Sequence, residues 1–282
     1  MLKQLTHFIK NRIVFILIIF LISSCKDIWR LEPRESDLGE ERTKVLGHRG
    51  AGYNSLLFRE NTSEGIEYAL DRLGGVEVDI AISKDGGLWL SHDDNVWLLD
   101  KPFIDATDEE IADVRDENGQ VYYDKLEDIL VRMVIKYPSK HISLDVKNPK
   151  ELFKSETFSS VAKKLADFTD SYNFEGKISV QSDSLSFLKM VREESSGIET
   201  YYLTWGDFDQ GIKRTYENYL TGISFDHDRK DDLTKSMVDL AHSLNLKVLV
   251  YSIEDSFIDE VYGLQVDFIE TDNMAFFELL YN

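Results

Sequence analysis

Three short stretches carry side chains of the types that could carry out hydrolysis together. Gly47-His48-Arg49-Gly50 sets an imidazole beside a guanidinium, and Glu77-Val78-Asp79 sets two carboxylates two residues apart. Asp145-Val146-Lys147 repeats that spacing with an acid and an amine. Side chains of an extended strand alternate between faces, so Glu77 and Asp79 share one face while Val76, Val78 and Ile80 share the other. An acid on the inner face of a buried strand is costly unless it is paired or bound to a metal. Taken singly, each of these acids is well explained by a buried salt bridge. If Glu77, Asp79 and Asp145 converge, however, three hard oxygen donors suit Mg²⁺ or Ca²⁺. Zinc would prefer more histidine or cysteine, and the lone cysteine, Cys25, lies far from these stretches.

His92 follows the apolar run Leu88-Trp89-Leu90 and precedes Asp93-Asp94. Imidazole titrates near neutrality, so His48 and His92 form a candidate acid/base pair. An exposed loop position is the plainer explanation of His92 alone. Arg49 and Lys147 supply positive charge for an anionic substrate, the first as a fork and the second as a point charge. The residue types therefore point to metal-assisted hydrolysis, with a phosphate ester as a fitting substrate.

These residues need a scaffold that gathers strand ends. From Thr43 onward, short β-rich apolar runs at 44–48, 75–82, 141–147, 177–181, 199–204, 222–226, 247–253 and 267–271 alternate with amphipathic stretches. Helices are expected at 63–73, 125–136, 159–172, 184–194, 209–218, 232–244, 256–264 and 275–281. This α/β rhythm is that of a (β/α)8 TIM barrel, in which reactive groups collect at the C-terminal ends of the strands. A doubly wound open sheet would show the same alternation. Residues 88–124 break the rhythm and read as a small insertion after strand 2. Hydrophobic content of 43% is ample for one large core, so residues 43–282 are expected to form one barrel domain.

The start of the chain reads differently. Lys3, Lys10 and Arg12 precede a wholly apolar run from Ile13 to Ile22, and Ser23-Ser24-Cys25 follows. That is the order of a secretory signal peptide, too short to span a bilayer comfortably. Ile22-Ser23-Ser24-Cys25 resembles a bacterial lipobox, which implies cleavage after residue 24 and diacylglyceryl attachment at Cys25. Two acyl chains suffice for stable anchoring. Residues 25–42 then read as a tether, and the protein as an exported membrane-anchored lipoprotein facing the periplasm or the cell surface. With a formal net charge of -20, the chain would repel nucleic acid.

Further motifs identify a family resemblance. Gly47-His48-Arg49-Gly50, Glu60-Asn61-Thr62, Glu77-Val78-Asp79-Ile80 with Ser83-Lys84-Asp85-Gly86, and His92-Asp93 closely resemble the glycerophosphodiester phosphodiesterases in order and spacing. Leu144-Asp145-Val146-Lys147 and Ile269-Glu270-Thr271-Asp272-Asn273 are similar to later strands of that family. The resemblance implies a TIM barrel that uses a divalent metal, Ca²⁺ or Mg²⁺, to cleave glycerophosphodiesters into an alcohol and glycerol 3-phosphate. It implies Glu77, Asp79 and Asp145 as metal ligands, His48 and His92 as the acid/base pair, Arg49 and Lys147 on the phosphate, and Glu60 beside the metal. The chain departs from the family at Arg59, where proline is usual, and at Asp145, where many members carry Glu. Two other readings stand beside this one: a phospholipase acting on lyso- or intact phospholipids, favoured by an apolar mouth, and a surface lipoprotein that binds a ligand without turnover.

Overall fold

The structure, a computed structural model, describes residues 43–146, 155–204, 207–228 and 233–275. Eight parallel strands form the barrel: β1 (Lys44–Gly47), β2 (Gly75–Ile82), β6 (His141–Val146), β7 (Ile178–Ser182), β8 (Glu199–Thr204), β9 (Gly222–Asp226), β10 (Lys247–Tyr251) and β11 (Phe268–Thr271). Each pairs in parallel with the next, and β1 joins both β11 and β2, which closes the sheet. Closure leaves this sheet no free edge among the eight. The (β/α)8 barrel is therefore the fold, and the open sheet is excluded.

Helices return the chain between strands: α1 (Ser63–Leu70), α3 (Leu126–Lys136), α4 (Ser155–Tyr172), α5 (Leu185–Glu194), α6 (Phe208–Glu217), α7 (Lys235–Ser243) and α8 (Ile258–Gly263). Their starts follow local chemistry. Thr62, Ser184, Asp207 and Thr234 each offer a side-chain oxygen to a backbone N–H of the first turn. Thr234 begins α7 later than the apolar pattern suggests, and Ser252, with φ +55°, stops β10 short of residue 253. The expected helix at 275–281 lies almost wholly outside the described residues. Among the described residues, no helix is long and apolar enough to cross a membrane.

Strand alternation divides the interior into two environments. Val76, Val78, Ile80, Ile142, Leu144 and Val180 face outward into the main core beneath the helices. Inside the barrel, Leu46, Tyr201, Leu249 and Phe268 pack as an apolar floor. His141 rests against Phe268 with ring centroids 4.5 Å apart, and its Nε2 meets Ser179 Oγ at 2.9 Å. Burial, helped by the charges of Lys44 and Lys247, lowers its pKa to about 3, so it is a neutral structural histidine.

Between β2 and α3 the chain forms β3 (Leu88–Leu90), which pairs antiparallel with β2, then β4 (Asn95–Val96), β5 (Lys101–Pro102) and the short helix α2 (Asp108–Ala112). This excursion has its own small core of Trp89, Val96, Phe103, Ile111, Val114 and Tyr123. Asp108 fastens it: one carboxylate oxygen accepts from Ser83 Oγ and Trp89 Nε1 at 2.6 and 2.9 Å, and the other from Lys125 Nζ at 2.8 Å.

Candidate active site

The mouth is assembled first by register. The β2–β6 pairing sets Asp79 directly beside Asp145, and β6–β7 sets Asp145 beside Gln181. Since Glu77 lies two residues before Asp79, all three carboxylates enter the same interior. One carboxylate oxygen from each of Glu77, Asp79 and Asp145 lies within 4.8 Å of the other two, and all three residues are buried. Burial, reinforced by the charges of Asp79, Glu270 and Asp145, pushes the Glu77 carboxyl well above its ordinary range.

The turn after β1 closes over this cluster. Gly47 is required there, because a Cβ would stand 2.1 Å from the carbonyl oxygen of Gly50. Arg49 adopts φ +52°, a left-handed conformation uncommon for a side chain of this size. The conformation aims its backbone N–H at Glu77 Oε2, 2.8 Å away. Its guanidinium reaches Glu60 Oε2 at 2.9 Å and lies 3.3 Å from Asp79 Oδ2. Arg49 thus bridges the Glu60 carboxylate and the cluster. Asn61, also left-handed at φ +56°, donates from Nδ2 to Asp79 Oδ2 and accepts from the Asp79 N–H, both at 2.9 Å. The second bond fixes the amide orientation, leaving Asp79 held from two sides.

His48 stands at the same mouth, with Nε2 4.0 Å from Glu77 Oε2. Its Nδ1 meets Asp272 Oδ1 at 2.9 Å, and the Tyr53 N–H donates to the same oxygen at 2.9 Å. Burial alone would lower the His48 pKa. The hydrogen bond and charge of Asp272, with the charge of Glu270, override that and raise it above 6.5. Glu270 completes the acidic ring from β11. Its Oε1 accepts from Gln181 Nε2 at 2.7 Å, and Gln181 accepts from Ser224 Oγ at 2.7 Å. Burial, with repulsion from Asp145 and Asp79, pushes Glu270 up to about 8 despite the opposing influence of His48 and Gln181.

His92 lies to one side. It lines a cleft with Arg59, Glu60, Asn61 and Tyr122, and its side chain is 38% exposed. Its Nδ1 is 3.9 Å from Asp93 Oδ1. His92 therefore shares a cleft with the residues that hold Arg49 and Asp79. Lys147 and Cys25 lie outside the described residues. Gln181, on β7, is buried inside the barrel and braces Glu270. Tyr251, on the last residue of β10, packs against the floor cluster.

Three contributors are absent from the residue-type reading: Asn61, Glu270 and Asp272. Applying the two-residue alternation to Phe268-Ile269-Glu270-Thr271 would have turned Glu270 inward. Asp272 has no local signal of that kind, because its partner His48 is 224 positions away.

A TIM barrel whose mouth gathers buried acids, an arginine and a carboxylate-held histidine defines a class of hydrolytic barrel. The chain belongs to the glycerophosphoryl diester phosphodiesterase family, whose model matches residues 48–275. It is accordingly a phosphoric diester hydrolase. No curated protein matches the sequence. Among solved structures, a protein of Galdieria sulphuraria proposed to be a glycerophosphodiester phosphodiesterase is similar, with TM-score 0.73 and 19% identity over 86% of this chain and 99% of that one. A glycerophosphodiester phosphodiesterase of Parabacteroides distasonis has TM-score 0.72 and 20% identity over 86% of this chain and 98% of that one. A phosphodiesterase of Oleispira antarctica, solved with the product sn-glycerol-3-phosphate, has TM-score 0.69 and 16% identity over 84% and 96%.

Proposed function

We propose that the chain hydrolyses glycerophosphodiesters to an alcohol and glycerol 3-phosphate, with a divalent cation held by Glu77, Asp79 and Asp145. The observation that carries this reading is the convergence of those three acids next to His48. Their crowding fits a cation: buried, mutually repelling oxygens are relieved by a hard divalent ion, and Ca²⁺ or Mg²⁺ matches an all-oxygen donor set. When bound, such an ion polarises a phosphoryl oxygen and offsets negative charge in the transition state. The product complex of the Oleispira antarctica relative supports the choice of substrate class.

The residues of the chain divide the remaining work. His48 and His92 are the acid and base, one taking the proton of the nucleophile and the other protonating the leaving alkoxide. Asp272 orients His48 through Nδ1, which leaves Nε2 toward the cluster. Arg49 exchanges a carboxylate partner for a phosphate oxygen, with Lys147 as a second cation and Glu60 keeping the guanidinium near the mouth. Residues 1–24 act as the export signal, Cys25 carries the lipid, and residues 25–42 tether a barrel of 43–282 to the outer side of a membrane.

The test is an assay of glycerophosphocholine, glycerophosphoethanolamine and glycerophosphoinositol with chelator, then with Ca²⁺ or Mg²⁺ restored. Turnover should vanish and return. His48→Ala and His92→Ala should each lower kcat by about 10²- to 10⁴-fold. Chelator-resistant activity would overturn the metal assignment, and wild-type turnover in either variant would overturn that histidine's role.

A further inference from the structure

The rim of the barrel mouth carries apolar side chains that the chemistry does not use. Leu56 and Leu57, in the loop after β1, are fully exposed and 70% exposed. Trp97, Leu98 and Leu99, in the excursion after β2, are also exposed, Leu98 at 66%. Leu98 has φ +69°, a conformation that leucine rarely adopts, and its side chain lies outward. The two loops are joined. Trp97 stacks on Tyr122 with centroids 4.6 Å apart, and the Arg59 guanidinium lies 3.6 Å from the Tyr122 ring centroid. Arg59 and Tyr122 line the cleft that holds His92 and Glu60, so the apolar rim borders the reaction site itself.

We propose that this rim docks on a zwitterionic phospholipid surface, so that the mouth takes glycerophosphodiesters that keep one acyl chain in the bilayer besides the soluble ones. Exposed leucines around a tryptophan are the side chains that enter the interfacial region of a membrane. Asp93, Asp94 and Asp100 flank the rim, and together with the net charge of -20 they disfavour anionic lipid. The sequence ahead of the barrel supplies proximity. An anchor at Cys25 leaves residues 25–42, about 60 Å of chain at full extension, ample to lay the mouth on the surface. A second copy of the chain or a protein partner would leave that anchor without a part in the docking.

The docking rests on the proposed function for the anchor at Cys25 and for its turnover readout. The full chain is bound to phosphatidylcholine vesicles with brominated acyl chains, and tryptophan quenching is compared with that of Trp97→Phe. Wild type should be quenched more than Trp97→Phe, and Leu56→Ser/Leu57→Ser/Leu98→Ser should lose that difference. The triple variant should turn over vesicle-borne lysophosphatidylcholine about tenfold more slowly, with soluble glycerophosphocholine changed less than about twofold. Equal quenching of wild type and Trp97→Phe would overturn the proposal, as would equal losses on both substrates. Self-association of wild type without vesicles, abolished in the triple variant, would assign the rim to a second copy and overturn it too. Absence of turnover on both substrates would overturn the phosphodiesterase reading instead, with quenching still deciding the docking.

Discussion

At the scale of single residues, the site depends on how its polar atoms are tied. Asp272 raises the His48 pKa against the effect of burial, through a hydrogen bond and a nearby charge. Asp272→Asn removes the charge and weakens the bond, so burial prevails and the His48 pKa falls. On the acid/base role proposed for His48, the pH limb of kcat/KM that reports it should then move to lower pH. That direction holds whether His48 acts as acid or as base, because either limb follows the same pKa. On the same proposed role, activity should fall by about 10- to 100-fold, the usual loss when a group that orients a reactive histidine is removed. An unmoved limb would separate Asp272 from the titration of His48. Asn61 is tied differently, with both ends of its amide on Asp79. Asn61→Ala leaves the buried Asp79 N–H without that acceptor, which costs about 1–3 kcal/mol by denaturant titration. Weaker retention of the proposed divalent cation should accompany it, measured by calorimetric titration.

At the scale of elements, the excursion after β2 is the part most easily detached. Asp108 gathers Ser83, Trp89 and Lys125 onto one carboxylate, and the Trp89 side chain that donates to it is nearly fully buried. Asp108→Ala should cost about 1–3 kcal/mol locally, because a buried indole N–H loses its acceptor. Hydrogen exchange should quicken across residues 88–124 while the barrel strands keep their protection. Uniform loss of protection would show instead that excursion and barrel unfold as one unit. The barrel strands were legible because each is a short apolar run with two-residue alternation and bounded ends. The inward set of Glu77, Asp79 and Asp145 followed from that same alternation. Element ends were less legible. Ser252 stops β10 by a backbone conformation, and Thr234 starts α7 by a cap, neither of which shows in hydrophobic spacing. The pairing of His48 with Asp272 was beyond local reading, since only closure of β1 on β11 brings those strand ends together. Glu270 was within reach of the alternation rule, yet its brace by Gln181 depends on two strands that are not neighbours in the sheet.

At the scale of the molecule, the acidic mouth sets how stability responds to pH and to cations. Glu270 has its pKa raised to about 8, from an ordinary value of 4.5. Between those values the folded state holds a proton that the unfolded state has released, so stability declines as pH rises across that window. Glu77 is raised in the same sense, and so is His48 above 6.5. His141 acts oppositely, but its pKa of about 3 confines it to the range below its ordinary 6.5. From pH 6.5 to 8, with chelator present, the raised groups all act in one direction, and Tm should fall. Glu270→Gln keeps an oxygen for Gln181 and cannot ionise. It should flatten that fall and raise stability at pH 8 by an amount on the order of a few kcal/mol. On the proposed metal assignment, adding Ca²⁺ or Mg²⁺ at about 100 times Kd should restore roughly 2.7 kcal/mol, the gain from an ion that binds the folded state alone. On that assignment the ion competes with protons for the Glu77 carboxylate, so its stabilisation should be larger at pH 8 than at pH 6.5. Thermal melts of wild type and Glu270→Gln at the two pH values, with chelator and with cation, separate these effects. A chelated wild type whose Tm rises with pH would contradict the raised carboxyls, and a cation effect larger at pH 6.5 would place the ion away from them.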